Sequence, residues 1–193
     1  MTQKKWFIPV VIIGAILLMG MMFVGWGNGV YDKAVGLQED TEAQWGNVQA
    51  AYQRRADLVP QLVATVKGAA ANENKILTEV TQARAGIVNA KTPQDMELMG
   101  KKINTAINLA FEAYPEIKST QNFRDLQAQL EGTENRINVE RRRYNETAKE
   151  FNKHVRGLFR RWILGIFGAE DEFVKKEMFQ ASAGSENAPK VEF

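Results

Sequence analysis

The chain has 193 residues, which is enough for one ordinary domain with a hydrophobic core. Its 25 basic and 23 acidic side chains leave a formal net charge of +2, so it lacks the strongly basic character by which nucleic-acid-binding proteins hold phosphates. The absence of cysteine excludes disulfides, thiolate zinc sites, iron–sulfur clusters and a cysteine nucleophile, and a single histidine excludes most histidine-rich metal sites.

An apolar segment near the start of the chain predicts a membrane anchor. The run from Trp6 to Trp26 reads WFIPVVIIGAILLMGMMFVGW and carries no charge. At ~1.5 Å per residue, a helix of this length crosses the ~30 Å hydrocarbon layer of a bilayer. We expect Trp6, Phe7 and Trp26 to hold its two ends in the headgroup zones, and we assign residues 1–29 to a transmembrane anchor with a short N-terminal flank. A cleaved signal peptide fits less well, because the run exceeds the usual length of a signal core and no A-x-A pattern follows it.

Charges beside this segment predict its orientation. Lys4 and Lys5 precede it, whereas Lys33 is the single basic residue in the next ~20 positions, so the positive-inside rule places the N-terminus in the cytoplasm and the remaining chain outside. Gly25 and Gly29 form a G-x-x-x-G at the rim of the span. A turn-like exit from the membrane explains these glycines better than helix dimerisation does.

Apolar residues after the glycines predict one long helix over residues 30–90. They recur mostly at the three- and four-residue spacings of an amphipathic helix. The residues of this stripe are Tyr31, Val35, Trp45, Val48, Tyr52, Val59, Leu62, Val66, Ile76, Val80 and Ile87. Pro60 is expected to kink the helix, since an interior proline removes one hydrogen bond. A reversal of the chain near Gly68 is the alternative, but the alanines that follow favour continuity.

Two further helices are predicted downstream. The KTPQD motif, Lys91–Asp95, forms a turn before the second helix, and Pro115 ends that helix. Ser119–Asn122 then supply capping residues before a third helix whose apolar stripe keeps close to a heptad register, as in coiled coils. The residues of this stripe are Phe123, Leu126, Leu130, Ile137, Tyr144, Ala148, Phe151, Val155 and Leu158. Short connections make neighbouring helices antiparallel, and no period-two run predicts a sheet. The predicted fold class is therefore all-α: an N-terminal transmembrane helix followed by an elongated antiparallel (four-)helix bundle over residues 30–180.

The segment Leu158–Phe179, LFRRWILGIFGAEDEFVKKEMF, has an apolar side rich in aromatic residues. In one interpretation it closes the bundle, and in the other it contacts a membrane surface or a neighbouring subunit. The residues expected to make such contacts are Trp162, Ile163, Ile166 and Phe167. A reversal near Gly68 would bring Trp162 and Phe167 back to the headgroups. Residues 181–193 are predicted to form a flexible tail.

Charged residues on two helices predict ion pairs across the bundle. We expect Arg54 or Arg55 to contact Glu131 or Glu134, which would fix the register of the two helices. A solvated charged face is the alternative. The run Arg141–Arg143 resembles a phosphate or lipid-headgroup site, but its flanking glutamates favour a solvated surface.

Motifs for enzymatic chemistry and metal binding are missing from the sequence. A di-iron bundle requires Glu-x-x-His on two helices, whereas here one histidine, His154, follows Glu150 by four residues. Neither a G-x-S-x-G elbow nor a phosphate-binding G-x-x-x-x-G-K-[ST] occurs, and the acidic run Glu170–Glu172 lacks the spacing of a calcium loop. We therefore predict no enzymatic activity, catalytic residue, metal, cofactor or small-molecule substrate, and we expect His154 on a helix surface.

Two long motifs carry a family resemblance. QRRADLVPQLVATVKG, Gln53–Gly68, and YPEIKSTQNFRDLQAQLEGTENRINVERRRYNETAKEFN, Tyr114–Asn152, resemble the LemA family of bacterial membrane proteins, and the APKVEF ending, Ala188–Phe193, is similar to that family's usual C-terminus. The resemblance implies a four-helix bundle on a single span, without an established enzymatic activity or catalytic residues. Where many members have Phe-Pro after the longer motif, this chain has Phe159-Arg160, which leaves the course of the last segment open.

These features predict a non-catalytic, membrane-anchored helical scaffold that self-associates or docks envelope partners. The expected partners are the lipid bilayer, further copies of the chain and an envelope protein, with no nucleic acid. The expected location is the bacterial cell membrane, crossed once. An adaptor or regulator of a membrane-bound protease or other envelope enzyme is the alternative, which the same surfaces would serve.

Overall fold

A computed structural model describes residues 4–65, 70–113, 121–168 and 172–180. These ranges contain five α-helices and no strand. The helices are α1 (Lys4–Thr65), α2 (Ala70–Asn89), α3 (Pro93–Ala113), α4 (Gln121–Val155) and α5 (Leu158–Phe167). The all-α prediction, with a long apolar N-terminal helix followed by a helical bundle, is confirmed.

The chain divides into two compact units. Unit 1 comprises Met1–Thr41 and Lys149–Lys176, and unit 2 comprises Glu42–Ala148 and Glu177–Phe193. The first part of the predicted bundle domain, residues 30–41, thus groups with the apolar helix. The predicted tail, residues 181–193, lies outside the described residues.

Helix α1 contains the candidate membrane span. Its segment beginning at Trp6 is long and apolar enough to cross a bilayer, and its most apolar stretch is entirely unburied. Trp6, Phe7 and Trp26 are all exposed, as anchor residues in lipid would be. The helix continues through Gly25 and Gly29, so the predicted turn-like exit is wrong. Each interior glycine disfavours helix by ~1 kcal/mol, which is small beside the packing of unit 1 described below.

Unit 2 is a four-helix bundle, and its α1–α2 pair corrects one prediction. Gln49 of α1 donates a hydrogen bond to the carbonyl oxygen of Ile87 over 3.2 Å, and Asp57 lies 2.9 Å from Arg84. The two helices are therefore antiparallel, and a single helix over 30–90 is wrong. Helix α1 ends at Thr65 and α2 begins at Ala70, and residues 66–69 lie outside the described residues.

The turn between α2 and α3 is built as the sequence predicts. Pro93 is the first residue of α3, where its missing N–H is not needed. Thr92 accepts a hydrogen bond from the Asp95 N–H over 3.1 Å, and its own N–H donates to the Asp95 carboxylate over 3.2 Å. This reciprocal capping box satisfies two backbone donors at the helix start.

Helix α4 completes the bundle and supplies one wall of its core. It runs antiparallel to α1, since Gln44 contacts Glu140 while Arg55 contacts Glu134. The described side chains of its predicted apolar stripe are buried as far as Val155, and those in unit 2 are Leu126, Leu130, Ile137, Tyr144 and Ala148. Leu158, the last predicted member of the stripe, is 83% exposed and belongs to α5.

Candidate membrane-docking surface

Helix α5 in unit 1 has two apolar faces, of which one is buried. Ile163 and Leu164 enter a core made with residues of α1 and α4. The residues that form this core with them are Val30, Ala34, Leu37, Phe151 and Val155. Burying a large aliphatic side chain stabilises a protein by ~1.5–3 kcal/mol, so this face holds α5 firmly against its neighbours.

The other face of α5 leaves four large apolar side chains in the open. We call this face the docking surface; it consists of Leu158, Phe159, Trp162 and Ile166. Their spacing places them along one side of the helix, with Arg160 and Arg161 also exposed. A contiguous exposed apolar face flanked by cations is typical of a helix that lies in a membrane interface.

The docking surface lies beside the C-terminal end of the candidate span. The Phe23 ring centroid is 6.0 Å from that of Trp162 and 6.3 Å from that of Phe167. At Gly27 the helices approach so closely that a Cβ atom there would overlap the Phe167 ring. If Phe23 and Trp26 lie at the edge of the hydrocarbon layer, Trp162 has to lie there as well.

The four residues predicted to make surface contacts differ in their exposure. Trp162 and Ile166 are on the docking surface. Ile163 is fully buried, so the prediction for this residue is wrong, and Phe167 is half-buried in contact with α1. Phe159, which the sequence analysis did not single out, is also exposed, and helical spacing places it on the same side as Trp162 and Ile166.

Buried polar contacts hold the parts of unit 1 together. The Nε2 of His154 lies 3.0 Å from the carbonyl oxygen of Val30, and since a carbonyl oxygen only accepts, Nε2 is the donor. His154 is buried, so its predicted place on a helix surface is wrong. The Asn152 side chain pairs with the backbone N–H and C=O of Lys176 over 2.9 and 2.8 Å. These contacts attach the extended segment after α5 to α4.

Tyr31 fixes the start of that extended segment. Its hydroxyl donates a hydrogen bond to Glu172 over 2.7 Å, and its ring meets Phe173 edge-on with centroids 5.5 Å apart. The hydrogen bond to the Glu172 carboxylate raises the pKa of Tyr31. Glu172 therefore has a structural contact, and Glu170 and Asp171, the other members of the acidic run, lie outside the described residues.

In unit 2, one of the predicted ion pairs joins α1 to α4. Arg55 lies 3.1 Å from Glu134, and its guanidinium also donates to the carbonyl oxygen of Leu130 over 2.8 Å and to Asn104 over 3.0 Å. Burial lowers the pKa of Arg55, while the Glu134 charge opposes this effect. These contacts join α1, α3 and α4 at one point.

The other two members of the predicted set lie elsewhere. Arg54 is exposed and lines a separate cleft with Asp57 and Arg136. Glu131 accepts a hydrogen bond from Gln127 on its own helix over 3.3 Å. Adjacent helical positions point about 100° apart, which is why Arg54 and Arg55 cannot share one partner face.

Glu140 is a buried carboxylate that sequence analysis did not single out. It accepts a hydrogen bond from Gln44 over 2.8 Å and pairs with Arg136 at 2.8 Å and Arg143 at 3.4 Å. Burial raises its pKa, but the hydrogen bond and the two arginines prevail and the pKa is lowered. Within the run Arg141–Arg143, Arg141 pairs with Glu97 at 2.6 Å, so two of these three arginines form ion pairs.

Phe179 caps the aromatic part of the unit 2 core. Its ring stacks on Trp45 with centroids 5.9 Å apart and meets Tyr144 at 5.6 Å. The Asn145 amide holds the backbone N–H and C=O of Phe179, both over 2.8 Å. Asn145 thus binds an extended peptide in the same way as Asn152 does in unit 1. The described residues contain no group of three or more His, Asp or Glu side chains placed to hold a metal ion.

Comparison with known proteins identifies the relatives of this chain. Residues 44–193 match the model of the LemA family. A curated relative, Protein LemA of Metamycoplasma hominis, is 25% identical over 158 residues, which cover 79% of this chain and 69% of the relative. The family match includes α5 and the Arg55–Glu134 pair and begins after the candidate span.

Proposed function

This chain belongs to the LemA family, and we propose that it is a non-catalytic, membrane-anchored helical scaffold that self-associates or docks envelope partners. We place it in the bacterial cell membrane as a single-pass protein, with the N-terminus in the cytoplasm and the bundle outside. The observation that carries this proposal is the exposed apolar face of α5 beside Phe23 of the span and Gly27 directly after it. In this arrangement the span anchors the protein and α5 rests in the headgroup layer.

The membrane contact of α5 would restrain the orientation of the anchored protein, which a scaffold requires. A single span leaves a protein free to tilt and rotate, whereas an additional interfacial helix restrains both motions. Burying four large apolar side chains in the interface would add several kcal/mol at ~25 cal/mol per Å² of apolar surface. Unit 1 would then keep one orientation at the membrane surface, and other copies or envelope partners would meet it in that orientation.

The depth of α5 in the bilayer tests the membrane contact directly. Because the chain has no cysteine, a single introduced cysteine carries a nitroxide label at one defined position. We would label Phe159→Cys and Ile166→Cys on the docking surface, with Val88→Cys as the matched control, since Val88 is also an exposed apolar side chain but lies on α2 of unit 2. The full-length protein in nanodiscs should give labels at 159 and 166 that oxygen reaches more readily than a nickel chelate does. The label at 88 should show the reverse, and aqueous accessibility at all three positions would contradict docking.

Two further measurements test the remaining parts of the proposal. A membrane-impermeant maleimide should label the Val88→Cys protein in intact cells, and labelling only after lysis would reverse the orientation. Mass photometry of the detergent-extracted full-length chain should show a discrete particle larger than the monomer. Monomers at all concentrations would refute self-association and leave docking of an envelope partner as the scaffold's role.

A further inference from the structure

A groove beside the docking surface combines cations with apolar walls. It has a volume of about 850 Å³ and lies entirely within unit 1, between α5, the end of α4 and the extended segment that follows α5. Arg156, Arg161 and Lys175 contribute three positive charges to its lining. Its apolar walls include Leu158, Trp162, Leu164, Ile166 and Phe173.

The charge of the groove selects an anion. The described lining residues include no carboxylate, and none of its three cations forms an ion pair with another described residue. The groove also adjoins the start of α5, where the N-cap is Gly157 and no side chain caps the backbone N–H groups. Uncapped N–H groups at a helix start favour negative charge, which adds to the attraction of the cations.

The apolar walls and the position of the groove narrow the class of anion. Trp162 and Ile166 belong both to the groove and to the docking surface, and Trp162 contacts Phe23 at the end of the span. A free phosphate would leave these walls in water. A molecule with a phosphate and an adjoining hydrocarbon chain would satisfy both parts of the groove, and a bilayer supplies such molecules at this depth.

We propose that this groove binds an anionic phospholipid, with the headgroup phosphate at Arg156, Arg161 and Lys175 and the upper part of an acyl chain along Trp162 and Ile166. The proposal rests on the membrane location proposed above and adds a specific ligand to it. It assigns the positive charges of unit 1 a role beyond general attraction to a charged membrane surface. One bound lipid would also connect α5, α4 and the extended segment.

Two neighbouring arginines provide a matched test. Arg161 lines the groove, whereas Arg160 is an exposed cation on the same helix that does not. We would titrate the delipidated full-length protein in a neutral detergent with fluorescent phosphatidylglycerol and compare Arg161→Gln with Arg160→Gln. Losing a hydrogen bond to a charged group costs ~1.5–3 kcal/mol, so Arg161→Gln should weaken binding at least about tenfold. Arg160→Gln should weaken it by less than about twofold, and circular dichroism should show equal helicity in both variants.

Competitors distinguish the lipid from other sources of the same charge. Unlabelled phosphatidylglycerol should displace the probe, while phosphatidylcholine and inorganic phosphate should displace it at least about tenfold less well. Equal weakening by the two variants would overturn the proposal in favour of diffuse surface attraction. Displacement by phosphate as strong as that by phosphatidylglycerol would overturn it in favour of a simple anion site. Either failure would leave the spin-label result unchanged, so the scaffold proposal is tested separately.

Discussion

Replacing Glu140 by glutamine should destabilise unit 2 at neutral pH and have little effect in acid. Glu140 is 2% exposed, and its carboxylate binds Gln44 at 2.8 Å, Arg136 at 2.8 Å and Arg143 at 3.4 Å. In Glu140→Gln the hydrogen bond from Gln44 persists but becomes neutral, which loses ~1 kcal/mol. Arg136 and Arg143 are 69% and 60% exposed, so each ion pair adds only ~0.3–0.5 kcal/mol. The glutamine buries no charge, which offsets part of the loss, and we expect a net decrease of about 1–2 kcal/mol in the free energy of unfolding.

The stability difference between wild type and Glu140→Gln should decrease as the pH falls. Because the folded-state pKa of Glu140 is lowered below its ordinary value of 4.5, its contribution is present above pH 4.5 and is lost as the pH falls through the folded-state pKa. Protonated glutamate and glutamine are both neutral, so the two proteins should converge in stability in acid.

Urea unfolding of the full-length protein in detergent measures both effects. Trp45 packs against Tyr144 in unit 2, so its fluorescence would report on this unit, and the gap between wild type and variant is compared at pH 7 and pH 3. Arg142→Gln, which also removes one charge from the same helix but at an exposed position, is the matched control and should change the stability little. Equal stability of Glu140→Gln and wild type at pH 7, or a gap that widens in acid, would refute the reasoning.

Three further predictions concern other contacts. Gly27→Ala should push the Phe167 ring of α5 away from α1 and make hydrogen exchange in α5 faster. Gly25→Ala, where a Cβ meets nothing within 4 Å, should leave hydrogen exchange in α5 unchanged, and equal effects of the two variants would contradict the close approach at Gly27. Asn145→Ala removes the two hydrogen bonds between the Asn145 side chain and the Phe179 backbone, so amide exchange at Phe179 should become faster. Unchanged protection of this amide would show that packing of the Phe179 ring alone holds the chain there. Burial raises the pKa of Tyr52 from 10.0 to about 12, so the contribution of its neutral hydroxyl to the free energy of unfolding is complete below pH 10 and is lost as the pH rises to 12. Over this pH range the free energy of unfolding of Tyr52→Phe should fall by about 2–3 kcal/mol less than that of the wild type. Equal decreases in the two proteins would argue against burial as the cause.

Local patterns predicted the helical secondary structure and the α2–α3 turn correctly. The apolar span, the Pro93 turn and the heptad-like stripe of α4 are all properties of short stretches, in which spacing and capping determine the outcome. The reversal between α1 and α2 is different. The alanines that follow Gly68 favour helix, and the chain reverses because Val80 and Ile87 can then pack against α1, which is a tertiary effect.

The site was predicted less completely for the same reason. The apolar pattern predicted Trp162, Ile163 and Ile166 alike as contact residues, whereas Trp162 and Ile166 are exposed and Ile163 is buried. Both faces of α5 are apolar, and only the fold decides which one is covered. The sequence predicts His154 on a helix surface, and this prediction is wrong. It lies three residues from Phe151 on the buried face of α4, and its hydrogen bond to Val30 satisfies its ring inside the core.

The close contact of Phe167 with Gly27 has a consequence within the membrane. A lone span has no preferred azimuth, since lipid surrounds it equally on every side. Here α5 covers the side of α1 that carries Phe23 and Gly27, and an interfacial helix must lie nearly flat along the bilayer plane. If α5 lies in the interface as proposed, the azimuth of the span about its own axis would be fixed. A neighbouring transmembrane helix could then approach the Trp26 end of the span only from the sides that α5 leaves open, among them the side with Gly25 and Gly29.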